Sequence, residues 1–137
     1  MTRPILLDTC AMLWMGNNQS LRAEAEAALH EAETEPGGIA VSPISAWEIG
    51  QLVARGRIVL PMEPLSWFQT LLDMGIALAP MPPAVLIASS FQPCSALRDP
   101  ADRIIAATAR ALGYRLMTRD RPLLDLASEG HINAIAC

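Results

Sequence analysis

The stretch Asp99-Pro-Ala-Asp-Arg-Ile-Ile-Ala-Ala-Thr-Ala-Arg-Ala-Leu-Gly-Tyr-Arg-Leu-Met-Thr-Arg-Asp120 decides the fold class of this chain. Its apolar residues recur with the period of a helix over Ala101–Leu112, and the short run Arg115–Thr118 that follows is typical of a strand. A helix that leads directly into such a strand is the repeating unit of a parallel sheet with crossover helices. The stretch therefore predicts an α/β protein.

The rest of the chain alternates in the same way. Further strands are predicted at Ile5–Leu7, Ile39–Ser42, Ile76–Ala79 and Ile132–Ile135. Further helices are predicted at Leu21–Glu33, Ile44–Ala54, Leu65–Met74, Ala84–Phe91 and Pro122–Ala127. We expect a central, mainly parallel sheet of four to five strands. With 137 residues, 52% of them apolar, the chain has enough material for one core, so residues 1–137 are expected to form a single domain.

The composition excludes several classes of function. All ten basic residues are arginine, so mechanisms that need a Schiff-base lysine, a P-loop lysine or the lysine of a receiver domain are ruled out. A formal net charge of −4 argues against a simple basic nucleic-acid-binding module. The three cysteines, Cys10, Cys94 and Cys137, form no even disulfide framework, and both histidines are distant from them in sequence. We therefore expect no zinc cluster and a reducing cytoplasmic setting.

No membrane segment or signal peptide is expected either. Asp8 interrupts the apolar start of the chain before a signal sequence of usual length is reached. The uncharged stretch from Met74 to Leu97 is long enough to span a bilayer, but it contains Pro80, Pro82 and Pro83, which break a helix.

Carboxylates fall where the strands of the predicted sheet end. Asp8 follows the first strand and Asp120 follows the fourth, which places both at the edge where open α/β sheets bind ligands. Helices begin at this same edge. The opening turns of two of them carry Glu48 and the pair Asp99 and Asp102, so all five acids are expected to converge.

A structural reason exists for some of these acids but not for others. Asp99 before Pro100 is typical of a helix N-cap, and Asp120 could cap the helix after it. Glu48 and Asp102, in contrast, fall on the apolar sides of their helices, where an unpartnered carboxylate is costly. A cluster of buried carboxylates must take up protons or bind a cation, and oxygen-only ligation favours Mg²⁺ or Mn²⁺.

Such a metal site is the usual apparatus of phosphodiester hydrolysis, because the cation polarises the phosphate and activates water. Thr9 and Thr118, each beside an acid at a strand end, are predicted to orient that water or a ligand. The second half of the chain is rich in arginine, and these side chains are predicted to contact a nucleic-acid backbone. The predicted contacts are Arg98, Arg103, Arg110, Arg119 and Arg121.

Four motifs, taken together, resemble a known family. They are Ile5-Leu-Leu-Asp8-Thr9, Ser42-Pro-Ile-Ser-Ala-Trp-Glu48-Ile, Asp99-Pro-Ala-Asp102-Arg-Ile-Ile-Ala-Ala-Thr-Ala and Leu116-Met-Thr118-Arg-Asp120. Their order and spacing are similar to those of the PIN-domain nucleases, most closely the VapC-type toxins of bacterial toxin–antitoxin pairs. The resemblance implies a three-layer α/β/α PIN-like fold and a Mg²⁺- or Mn²⁺-dependent endoribonuclease that a small antitoxin inhibits. It also implies that Asp8, Glu48, Asp102 and Asp120 are the catalytic metal ligands, with Asp99 as an additional acid.

Two other functions stay open at the level of sequence. A receiver-like signalling domain also gathers acids at strand ends, although the missing lysine and the single acid in Asp8-Thr9-Cys10 argue against it. A catalytically inactive PIN-like binding module would use the acidic pocket to hold a partner's arginine. Exposed members of the set Met12, Trp14, Met15, Trp47 and Trp67 would suit a homodimer or an antitoxin surface.

Overall fold

A computed structural model of the chain describes residues 3–91 and 97–137. In this part of the chain, strands and helices alternate, which confirms the predicted α/β class. The strands are β1 (Ile5–Leu7), β2 (Ile39–Val41), β3 (Ala77–Leu78), β4 (Arg115–Thr118) and β5 (Asn133–Ala136). The α-helices are α1 (Thr9–Gly16), α2 (Ala23–Ala32), α3 (Pro43–Ala54), α4 (Pro64–Asp73), α5 (Pro83–Ala88), α6 (Pro100–Leu112) and α7 (Arg121–Ser128). A 3₁₀ turn, Ser89–Phe91, follows α5.

The five strands form one wholly parallel sheet in the order β3-β2-β1-β4-β5. The chain builds outward from β1 to β2 and β3, and then returns to add β4 on the other side of β1. Leu7 is in register with Val41 on one side and with Met117 on the other. The order of the sheet therefore reverses beside β1, and ligands of open α/β sheets bind at such a switch point.

Helices cover both faces of this sheet. Ile5 and Leu7 point to one face, where they pack with residues of α1, α2, α3 and α4. Leu6 points to the other face, where Ile105 of α6 and Leu123 of α7 cover it. All five of these side chains are fully buried. The arrangement confirms the predicted three-layer α/β/α fold, and it explains why the strands are apolar without alternation.

Four predicted helices begin one residue earlier than the sequence pattern placed them. Each starts at a proline: Pro43, Pro64, Pro83 and Pro100. Proline suits the first helical position because the missing N–H would have no partner there, and its φ already matches a helix. The apolar period identified the helices but not this first residue.

Other boundaries also differ from the prediction. Helix α1 was not predicted at all, because Met12, Trp14 and Met15 were interpreted only as apolar residues after a strand. The helix predicted over 84–91 ends as α5 at Ala88 and continues as the 3₁₀ turn, and α2 is shorter at both ends than predicted. Helix α7 extends one residue further at each end. Strands β2 and β3 are shorter than predicted, and β5 begins and ends one residue later.

Arg103 of α6 hydrogen-bonds to backbone carbonyl oxygens of residues that follow α5. Its guanidinium donates to the carbonyl oxygens of Ser89 at 2.9 Å, Leu97 at 2.8 Å and Ser90 at 3.0 Å. The structure thus gives Arg103 a structural role, whereas the sequence pattern predicted a phosphate contact.

We expect Arg103→Ala to lower the free energy of unfolding by about 2–3 kcal/mol, because charged hydrogen bonds to backbone carbonyls are lost. Urea unfolding followed by circular dichroism measures this. Arg110→Ala is the matched control, since Arg110 is an exposed arginine of the same helix, and it is expected to change stability by less than about 0.5 kcal/mol. Equal effects of the two substitutions would contradict the role assigned to Arg103.

In the part of the chain that the structure describes, no helix is long and apolar enough to cross a membrane. Cys10 and Cys137 are free thiols. The third cysteine, Cys94, lies outside the described residues.

Candidate active site

Asp8 lies at the centre of the acidic pocket, which we define as Asp8, Glu48, Asp102 and Asp120. It is 4% exposed and caps α1, because its Oδ1 accepts the N–H of Ala11 at 2.7 Å. Its Oδ2 accepts the hydroxyl of Thr118 at 2.5 Å. Burial raises the pKa of the Asp8 carboxyl, the charge of Asp120 raises it further, and the hydrogen bonds from Thr118 and Ala11 oppose this.

Thr118, the last residue of β4, connects two acids of the pocket. While its hydroxyl donates to Asp8, the same oxygen accepts the backbone N–H of Asp120 at 3.0 Å. Thr118 is fully buried. The structure therefore places Thr118, predicted to orient water or a ligand, between the carboxyl ends of β1 and β4, where it orients the acids themselves.

Asp120 does not act as the helix cap that its position suggests. It occupies the N-cap position of α7, yet its side chain makes no capping hydrogen bond. Among the described residues, its Oδ2 is the buried side-chain oxygen or nitrogen that lacks a hydrogen-bond partner. Leaving a buried carboxylate oxygen unpaired costs free energy that the fold does not recover by itself. This oxygen is therefore a candidate ligand atom.

Glu48 reaches the pocket from α3 through Thr9. The Thr9 hydroxyl donates to the Glu48 carboxylate and lies 3.0 Å from the hydroxyl of Ser45, which is fully buried. Because Thr9 has one hydroxyl hydrogen, Ser45 is the donor of that second bond. Sequence reasoning missed Ser45, although its position one turn before Glu48 on the same helix face could have revealed it. Desolvation raises the pKa of Glu48, and the charges of Asp99 and Asp8 add to the increase.

Asp102 has the most perturbed carboxyl of the pocket. Burial, followed by the charges of Asp99, Asp120, Glu48 and Asp8, raises its pKa to about 8. Its position in the first turn of α6 places it on the side that packs toward the sheet. Without a cation such a carboxyl is mostly neutral at physiological pH, and contact with a cation would favour its ionised form.

Cys10 lies within electrostatic range of all four acids of the pocket. Desolvation raises the pKa of its thiol to about 11, and all four acids of the pocket contribute, in the order Asp8, Asp102, Glu48 and Asp120. The charge of each acid raises the pKa of this thiol on α1, because the topology brings the ends of β1 and β4 and the starts of α3 and α6 to the same edge of the sheet. The topology therefore brings these acids, which the sequence predicted to converge, to the same edge of the sheet.

Asp99 is a helix cap in the structure. Its Oδ1 accepts the N–H of Ala101 at 2.9 Å, and its side chain is exposed. It nevertheless affects the pocket, since its charge raises the pKa of both Asp102 and Glu48. Asp99 therefore stands at the rim of the pocket, and the described residues give its carboxylate no structural partner besides the α6 N-terminus.

The donor set fits a hard divalent cation. All of its members are carboxylate oxygens, and Asp120 supplies one that is buried and unpartnered. Within the described residues, no three acid, histidine or cysteine groups are already close enough together to ligate one ion. The assignment of Mg²⁺ or Mn²⁺ ligands therefore stays a prediction.

The predicted arginines are distributed unevenly around the pocket. The guanidinium of Arg119 stacks on the ring of Trp14 at 3.5 Å, and Arg121 begins α7 directly after Asp120. Arg98 is exposed beside Asp99. Arg110 lies two turns beyond Asp102, about 12 Å along α6. Arg98, Arg119 and Arg121 are thus near the acids, and Arg110 is remote from them.

Comparison with known proteins agrees with this arrangement. The PIN domain family matches residues 5–129. The chain is 38% identical over 124 residues to Ribonuclease VapC22 of Mycobacterium tuberculosis, covering 87% of this chain and 88% of that protein.

Solved structures with low sequence identity share the fold. DNA-bound VapBC from Salmonella typhimurium matches with a TM-score of 0.61 at 14% identity, covering 98% of both chains. FitAcB from Neisseria gonorrhoeae matches with a TM-score of 0.57 at 20% identity, covering 96% of both chains. The sequence match, the shared fold and the gathered acids lead to one conclusion: the chain belongs to the PIN domain family.

Proposed function

We propose that the chain is a metal-dependent endoribonuclease that hydrolyses RNA phosphodiester bonds and acts as the toxin of a toxin–antitoxin pair. The observation that carries the proposal is the unpartnered, buried Oδ2 of Asp120 in a pocket of four acids. The fold maintains this costly arrangement without a lysine to neutralise it. The 38% identity to a relative named as a ribonuclease supports RNA as the substrate.

The pocket residues would divide the work as follows. Asp8, Glu48, Asp102 and Asp120 would hold Mg²⁺ or Mn²⁺, which, when bound, polarises the phosphodiester and makes water a better nucleophile. Thr118 fixes Asp8 and Asp120 relative to each other, and Thr9 fixes Glu48. The attacking water must lose a proton as it bonds to phosphorus, and a pocket carboxylate oxygen that does not contact the cation would accept that proton.

The partners follow from the same proposal. A small antitoxin protein would inhibit the nuclease. The nuclease itself would act in the cytoplasm, where free thiols such as Cys10 stay reduced. We also infer a homodimer. Exposed apolar side chains around α5, with Ile87 at 64% and Phe91 at 79%, favour a surface that is covered in solution. Of the residues predicted for such surfaces, Met12 and Trp67 are core residues instead.

An RNA cleavage panel tests the proposed function. We expect purified, partner-free protein to cut RNA with Mg²⁺ or Mn²⁺ and to be inactive with a chelator, because the acids alone cannot activate water against a phosphate charge. Mapping the cut ends by primer extension identifies the broken bond. Cleavage that is unaffected by chelation would overturn the metal dependence. No cleavage under any condition, combined with tight binding of an arginine-rich peptide, would favour the inactive binding module.

A further inference from the structure

A cleft of about 480 Å³ opens from the rim of the acidic pocket, between α3 and the start of α6. We call it the arginine cleft, and its charged and aromatic lining consists of Trp47, Glu48, Arg55, Arg57, Arg98 and Asp99. We propose that Trp47 and the arginines of this cleft position the RNA substrate, with one unpaired base stacked on Trp47 and neighbouring phosphates on the arginines. The proposal rests on the nuclease function proposed above, and it names the residues that position the substrate beside the acidic pocket.

The helix α3 presents these side chains in a row. Trp47 and Gln51 lie four residues apart on one face of the helix, Arg55 follows four residues later as its C-cap, and all three line the cleft. From Trp47 to Arg55 the row extends about 12 Å, at 1.5 Å per residue. Glu48, directly after Trp47, connects this row to the acidic pocket.

Trp47 is exposed in a way that packing does not explain. Its side chain is 54% exposed, whereas Trp67 on α4 is 4% exposed and belongs to the core. Trp47 lies on α3 and Trp67 lies on α4, and these two helices pack against each other. A tryptophan is therefore buried in this part of the fold where it contributes to the core. The Trp47 ring is left at the entrance to the pocket. An unpaired base can stack on such a ring whatever its sequence.

The three arginines of the cleft are available for phosphate. Arg55, Arg57 and Arg98 are exposed, and within the described residues none has a carboxylate at ion-pair distance, although Glu48 and Asp99 line the same cleft. Guanidinium groups that are not paired with carboxylates keep their donors for phosphate oxygens. The charges are also separated along the cleft, with the acids at the pocket and Arg55 and Arg57 at the far end. A strand could therefore place one phosphate at the acids while arginines hold its neighbours.

The aromatic platform selects for a single strand. In a duplex, the flat faces of the bases are stacked inside the helix and cannot reach Trp47. An unpaired base can turn out of its strand and stack while its phosphates follow the arginines. An acidic peptide could pair with the arginines, but it would gain nothing from Trp47. Dependence of binding on the ring therefore distinguishes the two occupants.

Fluorescence anisotropy with a short labelled oligoribonucleotide tests the proposal. With a chelator present, the protein cannot cut by the proposed mechanism, so binding is measured alone. We expect the single strand to bind at least 10-fold more tightly than the same sequence as a duplex. Trp47→Ala is expected to weaken single-strand binding about 10-fold or more, and Trp47→Phe to retain most of it. Leu65→Ala is the control, since Leu65 is a large apolar residue of α4 that is 77% exposed and lies outside the cleft.

Salt titration measures the contribution of the arginines. Each of Arg55→Gln and Arg57→Gln is expected to lower the slope of log binding constant against log salt by about 0.7. Three results would overturn the proposal: equal binding of duplex and single strand, no effect of Trp47→Ala, or displacement of the RNA by an acidic peptide of higher affinity. Failure of the nuclease function is separate, because protein that binds through Trp47 but does not cut with Mg²⁺ or Mn²⁺ refutes only the nuclease.

Discussion

Asp102→Asn is expected to reduce RNA cleavage by about 10²–10⁴-fold while the fold stays intact. Asparagine keeps the shape of the side chain but removes the charge that would hold a cation. Asp102 is the position where this loss matters most, because burial and the charges of four other carboxylates raise its pKa to about 8 in the absence of a cation. Initial rates with Mg²⁺ or Mn²⁺ give the effect, and circular dichroism verifies the fold.

Asp73→Asn provides the control for that experiment. Asp73 is an exposed acid at the end of α4 that accepts a hydrogen bond from Gln69, and it lies outside the acidic pocket. We expect its replacement to leave the rate within about twofold of the original. If Asp102→Asn cleaves as fast as Asp73→Asn, Asp102 has no role in the chemistry.

The metal-free protein is expected to lose stability as the pH rises from about 4 to about 8. The folded state holds the Asp102 proton up to a pKa of about 8, whereas the unfolded chain releases it near the ordinary value for aspartate. In this interval the native state binds more protons than the unfolded state, so the free energy of unfolding falls with increasing pH. Asp8 and Glu48 act in the same direction, because their pKa values are also raised. We expect a loss of a few kcal/mol.

Urea unfolding at several pH values, with chelator present, measures this loss. Asp102→Asn removes the largest contributor, so it is expected to flatten the pH dependence and to stabilise the protein at pH 8. The variant protein would then cleave RNA much more slowly but have a higher free energy of unfolding. Such an exchange of activity for stability is common where a fold brings like charges together for function. A pH profile that is the same with and without Asp102 would show that its carboxyl is ionised in the folded state.

The fold could be predicted from the sequence because two periodicities are strong. The unbroken apolar runs at Ile5–Leu7 and Arg115–Thr118 and the helical period of α6 are sufficient for a parallel sheet with helices on both faces. Helix α1 escaped prediction because its residues are apolar all around, so no face stands out. The prolines at the starts of α3, α4, α5 and α6 carry no hydrophobic signal, so only capping chemistry identifies the first residue of each helix.

The positions of the acids in the candidate site could be predicted from the sequence, but the hydrogen bonds around them could not. The position of Asp8 and Asp120 after strands requires only the rule that parallel strands end at one edge. The bond between Thr118 and Asp8 joins residues 110 positions apart, and the bond between Ser45 and Thr9 depends on how α3 packs on α1. The hydrogen bonds from Arg103 to backbone carbonyl oxygens could not be predicted from helical spacing either. Such contacts follow from tertiary packing.

The position of β1 in the centre of the sheet has a consequence for synthesis. β1 is made before the other four strands of the described sheet, yet one of its two neighbours, β4, is made more than 100 residues later. Until Thr118 and Asp120 emerge, Asp8 has neither its hydroxyl donor nor its partner acid. Long-range pairing of this kind also forms late in folding. A nascent chain therefore has an incomplete pocket until the segment that contains Thr118 and Asp120 has been made.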